Sequence, residues 1–224
     1  ITAASNMEEG IRQVYRELGS GKLSKSDFAL SNKLLMENAA LLLTNLKRAS
    51  NLIVNFKQVA ADQASDEFSC FNLAAYIDKI ISSLSPKIRH SRHRIVFECS
   101  NKDLEIYSVP GVLVQIITNI VDNALEHAFP EGQEGKICLD VSEAGQNIIL
   151  KITDNGIGMA PETVALIFDP FFTTSRKSGS CGLGMHIVYN LITQQLKGRI
   201  ECRSDPGQGS SFIILLPKNS RSQV

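Results

Sequence analysis

The sequence lacks an excess of charge of either sign. Lys plus Arg and Asp plus Glu number 23 each, which gives a formal net charge of zero at pH 7. Without a bulk positive field, the chain has no general electrostatic attraction to nucleic acid or to anionic lipid. We therefore expect no nucleic-acid partner.

Closely paired cysteines are lacking as well. The five cysteines are odd in number and widely spaced, and no two of them form a CxxC motif. This pattern argues against a zinc site and against the disulfide framework of a small secreted domain. A reducing cytoplasm is the expected compartment.

Long apolar runs are absent. No stretch approaches the roughly 18 consecutive apolar residues of a membrane-spanning helix, and no segment resembles a signal peptide. The sequence starts at Ile1 without an initiator Met, and its first residues fit the interior of a helix. We therefore expect a fragment of a longer cytoplasmic protein, with any anchor in the inner membrane carried by segments upstream of Ile1.

Residues 1–66 are predicted to form a helical hairpin with a break near residues 19–21, where Ser26 or Asp27 is expected to cap the second helix. Along that helix, side chains recur every seven residues in two rows four residues apart, which is typical of a bundle seam. Two arms cannot bury so long a seam, so we expect a homodimer whose hairpins form a four-helix bundle. The alternative is that the hairpin packs on the rest of its own chain. The rows are Phe28, Leu35, Leu42, Ala49 and Phe56, and Asn32, Ala39, Leu46, Ile53 and Ala60.

Residues 67–224 alternate between strand-like and helix-like patterns. Strands mixed with helices that need one face covered predict an α/β sandwich, in which one mixed sheet carries helices on one side. The whole chain is therefore assigned to the α+β class. The predicted strands are 93–99, 104–109, 136–141, 148–153, 199–203 and 211–216, and the predicted helices are 110–129, 161–168 and 183–196.

The most informative motif is the run DNGIGM from Asp154 to Met159, directly after a predicted strand. A carboxylate at a strand end can accept a hydrogen bond from an exocyclic amine of a ligand. Gly156 and Gly158 let the backbone approach that ligand without an intervening Cβ. The alternative is an ordinary turn made by Asp, Asn and Gly between a strand and a helix.

Two asparagines form the second motif. Asn119 and Asn123 are four residues apart on one face of the helix predicted to begin at Pro110. Asparagine is mildly unfavourable inside a helix, so two on one face among apolar neighbours indicate a specific role. An amide oxygen is a suitable Mg²⁺ ligand when phosphates and water complete the coordination shell. The alternative is a polar contact between helices.

A phenylalanine-rich stretch and a glycine cluster form the third motif. Phe168, Phe171 and Phe172 precede Thr173 and Thr174 and a polar loop that is expected to act as a lid over a nucleotide. The loop ends in the run GSCGLG at residues 179–184, which opens a helix and can present backbone N–H groups to phosphates. Core packing is the alternative reading of the phenylalanines.

Together these motifs resemble the nucleotide-binding domain of histidine kinases, within the superfamily shared with gyrase, heat-shock chaperone and mismatch-repair ATPases. The resemblance covers about residues 71–217, and four blocks match in order. They are the Asn box (Gln115, Asn119, Asn123), the first glycine box (Asp154, Gly156, Gly158), the Phe box (Phe168, Phe171, Phe172) and the second glycine box (Gly182, Gly184). The run GQGSSF at residues 207–212 matches the closing glycine turn and final strand of the family.

The resemblance implies ATP as the nucleotide and Mg²⁺ as the metal ion. It implies that Asp154 binds the adenine amino group, Asn123 holds Mg²⁺, and Asn119 lies beside the phosphates. The lid between Asp169 and Gly182 is expected to close over them. The remaining predicted nucleotide contacts are Gly156, Gly158, Thr173, Thr174, Gly182, Leu183 and Gly184.

One position favours phosphoryl transfer over ATP hydrolysis. Hydrolysing members of the superfamily carry a Glu general base four residues before the Mg²⁺-binding Asn, whereas this chain has Asn119 there. An amide cannot take a proton from water at neutral pH, so Asn119 is the expected catalytic-site residue of a kinase. Glu126 replaces the basic residue of many kinases, and Arg176 or Lys177 is then expected to supply the positive charge.

The hairpin resembles the dimerisation and phosphotransfer helices of the same kinases. The acceptor His of that family is missing, because no His occurs before His90. We therefore expect the acceptor upstream of Ile1, a response-regulator receiver domain as the onward partner, and no autophosphorylation of the fragment itself. Two other classes stay open: a binding module that uses ATP only as a conformational ligand, and an anti-sigma-type kinase acting on Ser.

Overall fold

Helices form the first part of the chain, and a sheet covered by helices forms the second. The computed structural model describes residues 2–20, 24–61, 67–89, 92–130, 132–174 and 182–220. Contacts between backbone segments divide the chain into two units. The first is the hairpin up to Gln58, and the second comprises Val59–Thr174 with Gly182–Val224.

The hairpin consists of α1 (Thr2–Gly19) and α2 (Lys25–Ala61). The N-cap of α2 is Ser24, whose Oγ accepts a hydrogen bond from the backbone N–H of Asp27 at 3.1 Å. The prediction of Ser26 or Asp27 as the cap was wrong, because α2 begins at the residue that precedes both of them. A Ser three residues before an acidic residue is the arrangement of a capping box.

The two arms pack along part of the predicted rows. A Cβ placed on Gly10 would lie 3.4 Å from Leu35 Cδ2, so the helices approach closely at this point. Leu35, Ala39 and Leu42 are half-buried, whereas Phe28, Asn32 and Leu46 are exposed. The side chains of the later row members, from Ala49 onward, lie outside the described residues.

The second unit confirms the predicted sandwich with a mixed sheet. Five strands run in the order β2-β4-β5-β7-β6, with β2 and β4 parallel and the other neighbours antiparallel. A small antiparallel pair, β1 with β3, stands apart from this sheet. The strands are β1 (Ser69–Asn72), β2 (Arg94–Cys99), β3 (Glu105–Ser108), β4 (Lys136–Ala144), β5 (Asn147–Asp154), β6 (Arg199–Ser204) and β7 (Ser210–Pro217).

The core lies between one face of the sheet and the helices. Alternate residues of the central strands are buried, as a half-covered sheet requires. On β5 these are Ile148, Leu150, Ile152 and Asp154, and their partners on β7 are Leu216, Ile214, Phe212 and Ser210. The helices of this unit are α3 (Leu73–Arg89), α4 (Pro110–His127), α5 (Pro161–Leu166) and α6 (Gly184–Asn190).

Three features of this unit differ from the sequence-based prediction. The strand β1 and the helix α3 were not predicted, although Leu73, Ile77 and Leu84 of α3 are buried at helical spacing. The helix predicted over 183–196 keeps its regular turns only to the end of α6. It continues as a π-helical turn over Leu191–Gln195. Among the residues that the structure describes, no helix has both the length and the apolar character needed to cross a membrane.

Candidate nucleotide site

Asp154 is a buried carboxylate at the last position of β5, with only 6% of its surface exposed. Its Oδ1 accepts a hydrogen bond from the backbone N–H of Gly156 at 2.9 Å. Ser210, its register partner on β7, hydrogen-bonds the carboxylate through its backbone N–H and its side chain. No described residue forms an ion pair with Asp154. Burial raises the pKa of Asp154, and the hydrogen bonds from Gly156 and Ser210 offset part of that rise.

The loop after Asp154 is fixed on one side to the end of α4. The backbone N–H of Ile157 donates to the carbonyl oxygen of Ala128 at 2.8 Å. Gly156 packs so closely on Ala128 that a Cβ there would clash with this residue. Asn155 Oδ1 accepts a hydrogen bond from the backbone N–H of Lys136 at 2.6 Å. The loop therefore keeps its shape through backbone contacts that only small or turn-forming residues permit.

On its other side the loop rests on the turn between β6 and β7. The backbone N–H of Gly207 donates to the Ile157 carbonyl at 2.7 Å, and that of Met159 donates to Ser204 Oγ at 2.8 Å. Gly158 has φ +67°, and a Cβ at this position would clash with the carbonyl oxygen of Asp205. Both the backbone conformation and the lack of space require glycine at this position.

The two asparagines of the second motif lie on α4, and each is half-buried. Their apolar neighbours Ile116, Ile120 and Ala124 are buried in the core. Asn119 Nδ2 is buried and has no hydrogen-bond partner among the described residues. A buried polar atom without a partner is costly, and a bound phosphate oxygen would satisfy it. By contrast, Asp122 is ion-paired with Lys87 of α3 at 2.7 Å.

The phenylalanine turn contacts the segment that opens α6. Phe171 has φ +65° and is exposed, which is a strained conformation for a bulky residue. A Cβ on Gly182, whose φ is +64°, would lie 2.5 Å from the carbonyl oxygen of Phe172. Apart from its own helix and chain neighbours, no atom of the described residues lies within 4 Å of a Cβ added to Gly184.

His186 also joins these two segments. Its Nδ1 lies 3.0 Å from the carbonyl oxygen of Phe168, and its Nε2 lies 3.1 Å from Asn190 Nδ2. Thr173 is half-buried and Thr174 is exposed. The central part of the predicted lid, including Arg176 and Lys177, lies outside the described residues.

The structure brings some of the predicted residues together and adds others. The loop after Asp154, which contains the first glycine box, is hydrogen-bonded to the end of α4, the helix that carries Asn119 and Asn123. This helix packs against α6. Sequence reasoning missed Ser210 and Ser204 as partners of Asp154 and its loop. The closing glycine turn was the sequence signal that pointed to these two serines. Only the pairing of β5 with β7, however, places Ser210 opposite Asp154. No group of three or more His, Cys, Asp or Glu side chains in the described ranges could hold a metal ion.

Comparison with known proteins identifies a family for this arrangement. Residues 109–220 match the family described as Histidine kinase-, DNA gyrase B-, and HSP90-like ATPase. Sporulation kinase B of Bacillus subtilis (strain 168) is 31% identical over 199 residues, which cover 89% of this chain and 45% of that protein. The chain thus spans less than half the length of this relative.

Solved structures match the fold. The nucleotide-free catalytic domain of histidine kinase ThkA is 30% identical, with a TM-score of 0.61, and the match covers 69% of this chain and 97% of that chain. A structure of ThkA in complex with the response regulator protein TrrA has a TM-score of 0.65 at 24% identity, over 98% of this chain and 61% of that chain. At that identity the second match shows only the shared fold.

Proposed function

The chain belongs to the histidine kinase-, DNA gyrase B- and HSP90-like ATPase family and carries a catalytic domain of the histidine-kinase type; from this we propose that it is the ATP-binding core of a sensor histidine kinase. The domain transfers the γ-phosphate of ATP to a His of the longer protein, from which it passes to a response regulator. Sporulation kinase B, the relative named above, is longer than this chain.

The burial of Asp154 is the observation that carries this proposal. A carboxylate that is 6% exposed and has no ion pair within the described residues costs free energy unless a ligand engages it. The 6-amino group of adenine can donate to this carboxylate. Gly156 and Ser210 hold the carboxylate in a fixed orientation, so little is lost in ordering it when the nucleotide binds.

The asparagines of α4 fit the phosphate end of the nucleotide. The buried Nδ2 of Asn119 can donate to a phosphate oxygen, which would give it the partner it lacks among the described residues. Asn123 lies one turn further along the same face and can offer its amide oxygen to Mg²⁺. When bound, Mg²⁺ supplies positive charge that neutralises the charge developing on the transferred phosphoryl group.

Asn119 also argues for transfer rather than hydrolysis. An amide has no basic lone pair at neutral pH, so this residue cannot activate a water molecule. In this proposal the chain binds and orients the nucleotide, and the incoming His imidazole itself is the nucleophile.

The histidines within the described residues have structural roles that do not suit a phosphoryl acceptor. His93 stacks on Phe129, with ring centroids 4.5 Å apart. His186 has both ring nitrogens engaged in hydrogen bonds. His127 Nε2 lies 3.9 Å from Glu126 Oε2, on the nucleotide-binding helix itself. These contacts argue against His93, His127 and His186 as the acceptor.

The hairpin is proposed to form a homodimer. Among the described residues, Leu30, Leu34 and Leu41 form an exposed apolar stripe on α2, at spacings of four and seven. A second hairpin would cover this stripe in a four-helix bundle.

A labelling experiment tests the proposed function. Incubated with γ-labelled ATP and Mg²⁺, this chain should give no acid-labile phosphoprotein, whereas a longer polypeptide that includes the upstream His should be labelled. The Asp154→Asn variant of the longer polypeptide should lose most of its label. Label on the present chain, or full label on the Asp154→Asn polypeptide, would contradict the proposal.

A further inference from the structure

We propose that His186 is a positioning residue for the phosphate end of the nucleotide site, an inference that rests on the proposed function. His186 is the third residue of α6, which follows the second glycine box. Through its ring it joins α6 to Phe168, which follows α5 and opens the turn that ends at Phe172. The bond therefore fixes where Gly182–Gly184 lie relative to that turn.

The hydrogen-bond partners of His186 define its tautomer. The carbonyl oxygen of Phe168 can only accept, so Nδ1 must carry the proton and donate to it at 3.0 Å. In the neutral ring, Nε2 then accepts from Asn190 Nδ2 at 3.1 Å, one helical turn further along. Asn190 thus selects the tautomer that binds Phe168, as a neighbouring group does for many functional histidines.

A second contact joins the same two segments near Gly182. The backbone of this glycine approaches the carbonyl oxygen of Phe172 so closely that a Cβ would lie 2.5 Å from it. Both ends of the turn, Phe168 and Phe172, are therefore attached to the segment that opens α6. Glycine N–H groups offered to phosphates bind well only when their direction is fixed, and these two contacts fix it.

A competing explanation assigns the same task to aromatic packing. The rings of Phe168 and Tyr189 lie 5.6 Å apart, and this contact also links the turn to α6. If packing alone holds the segments together, the hydrogen bond of His186 is dispensable for the nucleotide. The two explanations predict different nucleotide affinities for variants that keep the function of one ring nitrogen and remove that of the other.

The chain offers such a matched pair of variants. In His186→Asn, the side-chain amide nitrogen takes the place of Nδ1 and can still donate to Phe168. In His186→Gln, the side-chain amide group takes the place of Nε2. This variant keeps the contact with Asn190 and loses the hydrogen bond to the Phe168 carbonyl oxygen. The dissociation constants of Mg-ATP and of adenosine are measured for each variant, together with its thermal unfolding midpoint.

We expect the change in affinity to differ between the two ligands and between the two variants. His186→Gln should weaken Mg-ATP binding on the order of fivefold, the loss of about one hydrogen bond, and leave adenosine binding unchanged. His186→Asn should stay within about twofold of the unmodified chain for both ligands.

Equal behaviour of the two variants, or a parallel loss of ATP and adenosine affinity, would overturn the positioning role. Failure of the unmodified chain to bind Mg-ATP would instead reject the proposed function on which the inference rests.

Discussion

At the scale of single residues, the binding function proposed for Asp154 opposes the stability of the fold. The buried carboxylate has a raised pKa because its charged form is poorly solvated in the core. A group whose pKa is higher in the folded than in the unfolded chain contributes stability below the unfolded pKa. This contribution is lost as the pH rises through the folded pKa. At neutral pH the ionised Asp154 therefore lowers the free energy of unfolding.

Asp154→Asn should remove the destabilisation caused by the ionised carboxylate and should also weaken nucleotide binding. The unfolding free energy of the variant, relative to the unmodified chain, should rise as the pH increases from about 4 toward neutrality. Its affinity for Mg-ATP should fall by about ten- to a hundredfold, because the neutral amide removes the charge assistance from the hydrogen bond to adenine and replaces one acceptor oxygen by a donor. Urea denaturation across this pH range and calorimetry at pH 7 measure the two effects. A pH-independent stability difference would show that the carboxylate is not the titrating group.

Asn123 is the residue expected to hold Mg²⁺. In Asn123→Ala, the increase in ATP affinity that Mg²⁺ produces should disappear, whereas affinity without Mg²⁺ should change little. Asp122→Asn is the matched control, since Asp122 is the adjacent residue and pairs with Lys87 rather than with the site. It should keep the full response to Mg²⁺. An Asn123→Ala protein that responds normally would make Asn123 a packing residue.

At the scale of elements, the proposed nucleotide site depends on one loop held between a helix end and a turn. The loop Asn155–Met159 contacts Ala128 at the end of α4 and Ser204 at the end of β6. Its conformation therefore depends on the relative placement of α4 and of the β6–β7 turn. Substitutions that alter the loop backbone should affect both stability and nucleotide binding.

Gly158→Ala tests this dependence. The residue has φ +67° and no room for a Cβ, so the substitution should destabilise the domain by about 1–3 kcal/mol and weaken ATP binding. Gly111→Ala is the control, because Gly111 lies in α4 and, apart from its own helix and chain neighbours, no atom of the described residues lies within 4 Å of the added Cβ. It should stabilise the domain by up to about 1 kcal/mol and leave ATP affinity unchanged. Urea midpoints compare the pair, and an equally stable Gly158→Ala domain would refute the loop geometry.

The elements also show what the sequence could and could not reveal. The strand-end carboxylate, the two glycines after it and the Asn pair are local patterns, so the predicted helix 110–129 and strand 148–153 agree with α4 and β5 to within two residues. The contact of Ser210 with Asp154 arises from pairing between β5 and β7, which are far apart in the chain.

The missed elements have different causes. The apolar spacing of α3 was present in the sequence, with Leu73, Ile77, Ile80 and Leu84 on one buried face. By contrast, β1 has only four residues and depends on its pairing with β3, so its own pattern carries little information. The π-helical turn at Leu191–Gln195 has no glycine or proline to mark it.

At the scale of the whole molecule, exposed apolar side chains are concentrated in one unit. Of the fourteen large hydrophobic residues that are exposed within the described ranges, ten belong to α1 and α2. A helical hairpin that leaves so many apolar side chains in water is expected to associate with another helical surface. This distribution supports the proposed homodimer.

The dimer is tested by charging the exposed stripe on α2. Leu34 and Leu41 are 51% and 50% exposed, so replacing both by Glu should spare the hairpin and disrupt its association with a second copy. Light scattering should give twice the chain mass for the unmodified protein and the single chain mass for the double variant. Lys33→Glu changes the net charge by the same amount and should remain dimeric. A monomeric unmodified chain would exclude the dimer.

Nucleotide selectivity of the unmodified chain is the most direct test of the central claim. Guanine presents an acceptor oxygen where adenine presents its 6-amino group, and the carboxylate of Asp154 repels an acceptor. Calorimetric titration with Mg-ATP and Mg-GTP should therefore show binding of ATP and an affinity for GTP at least about tenfold lower. Equal affinities for the two nucleotides, or no binding of ATP, would contradict the assignment of this domain as an ATP-binding kinase core.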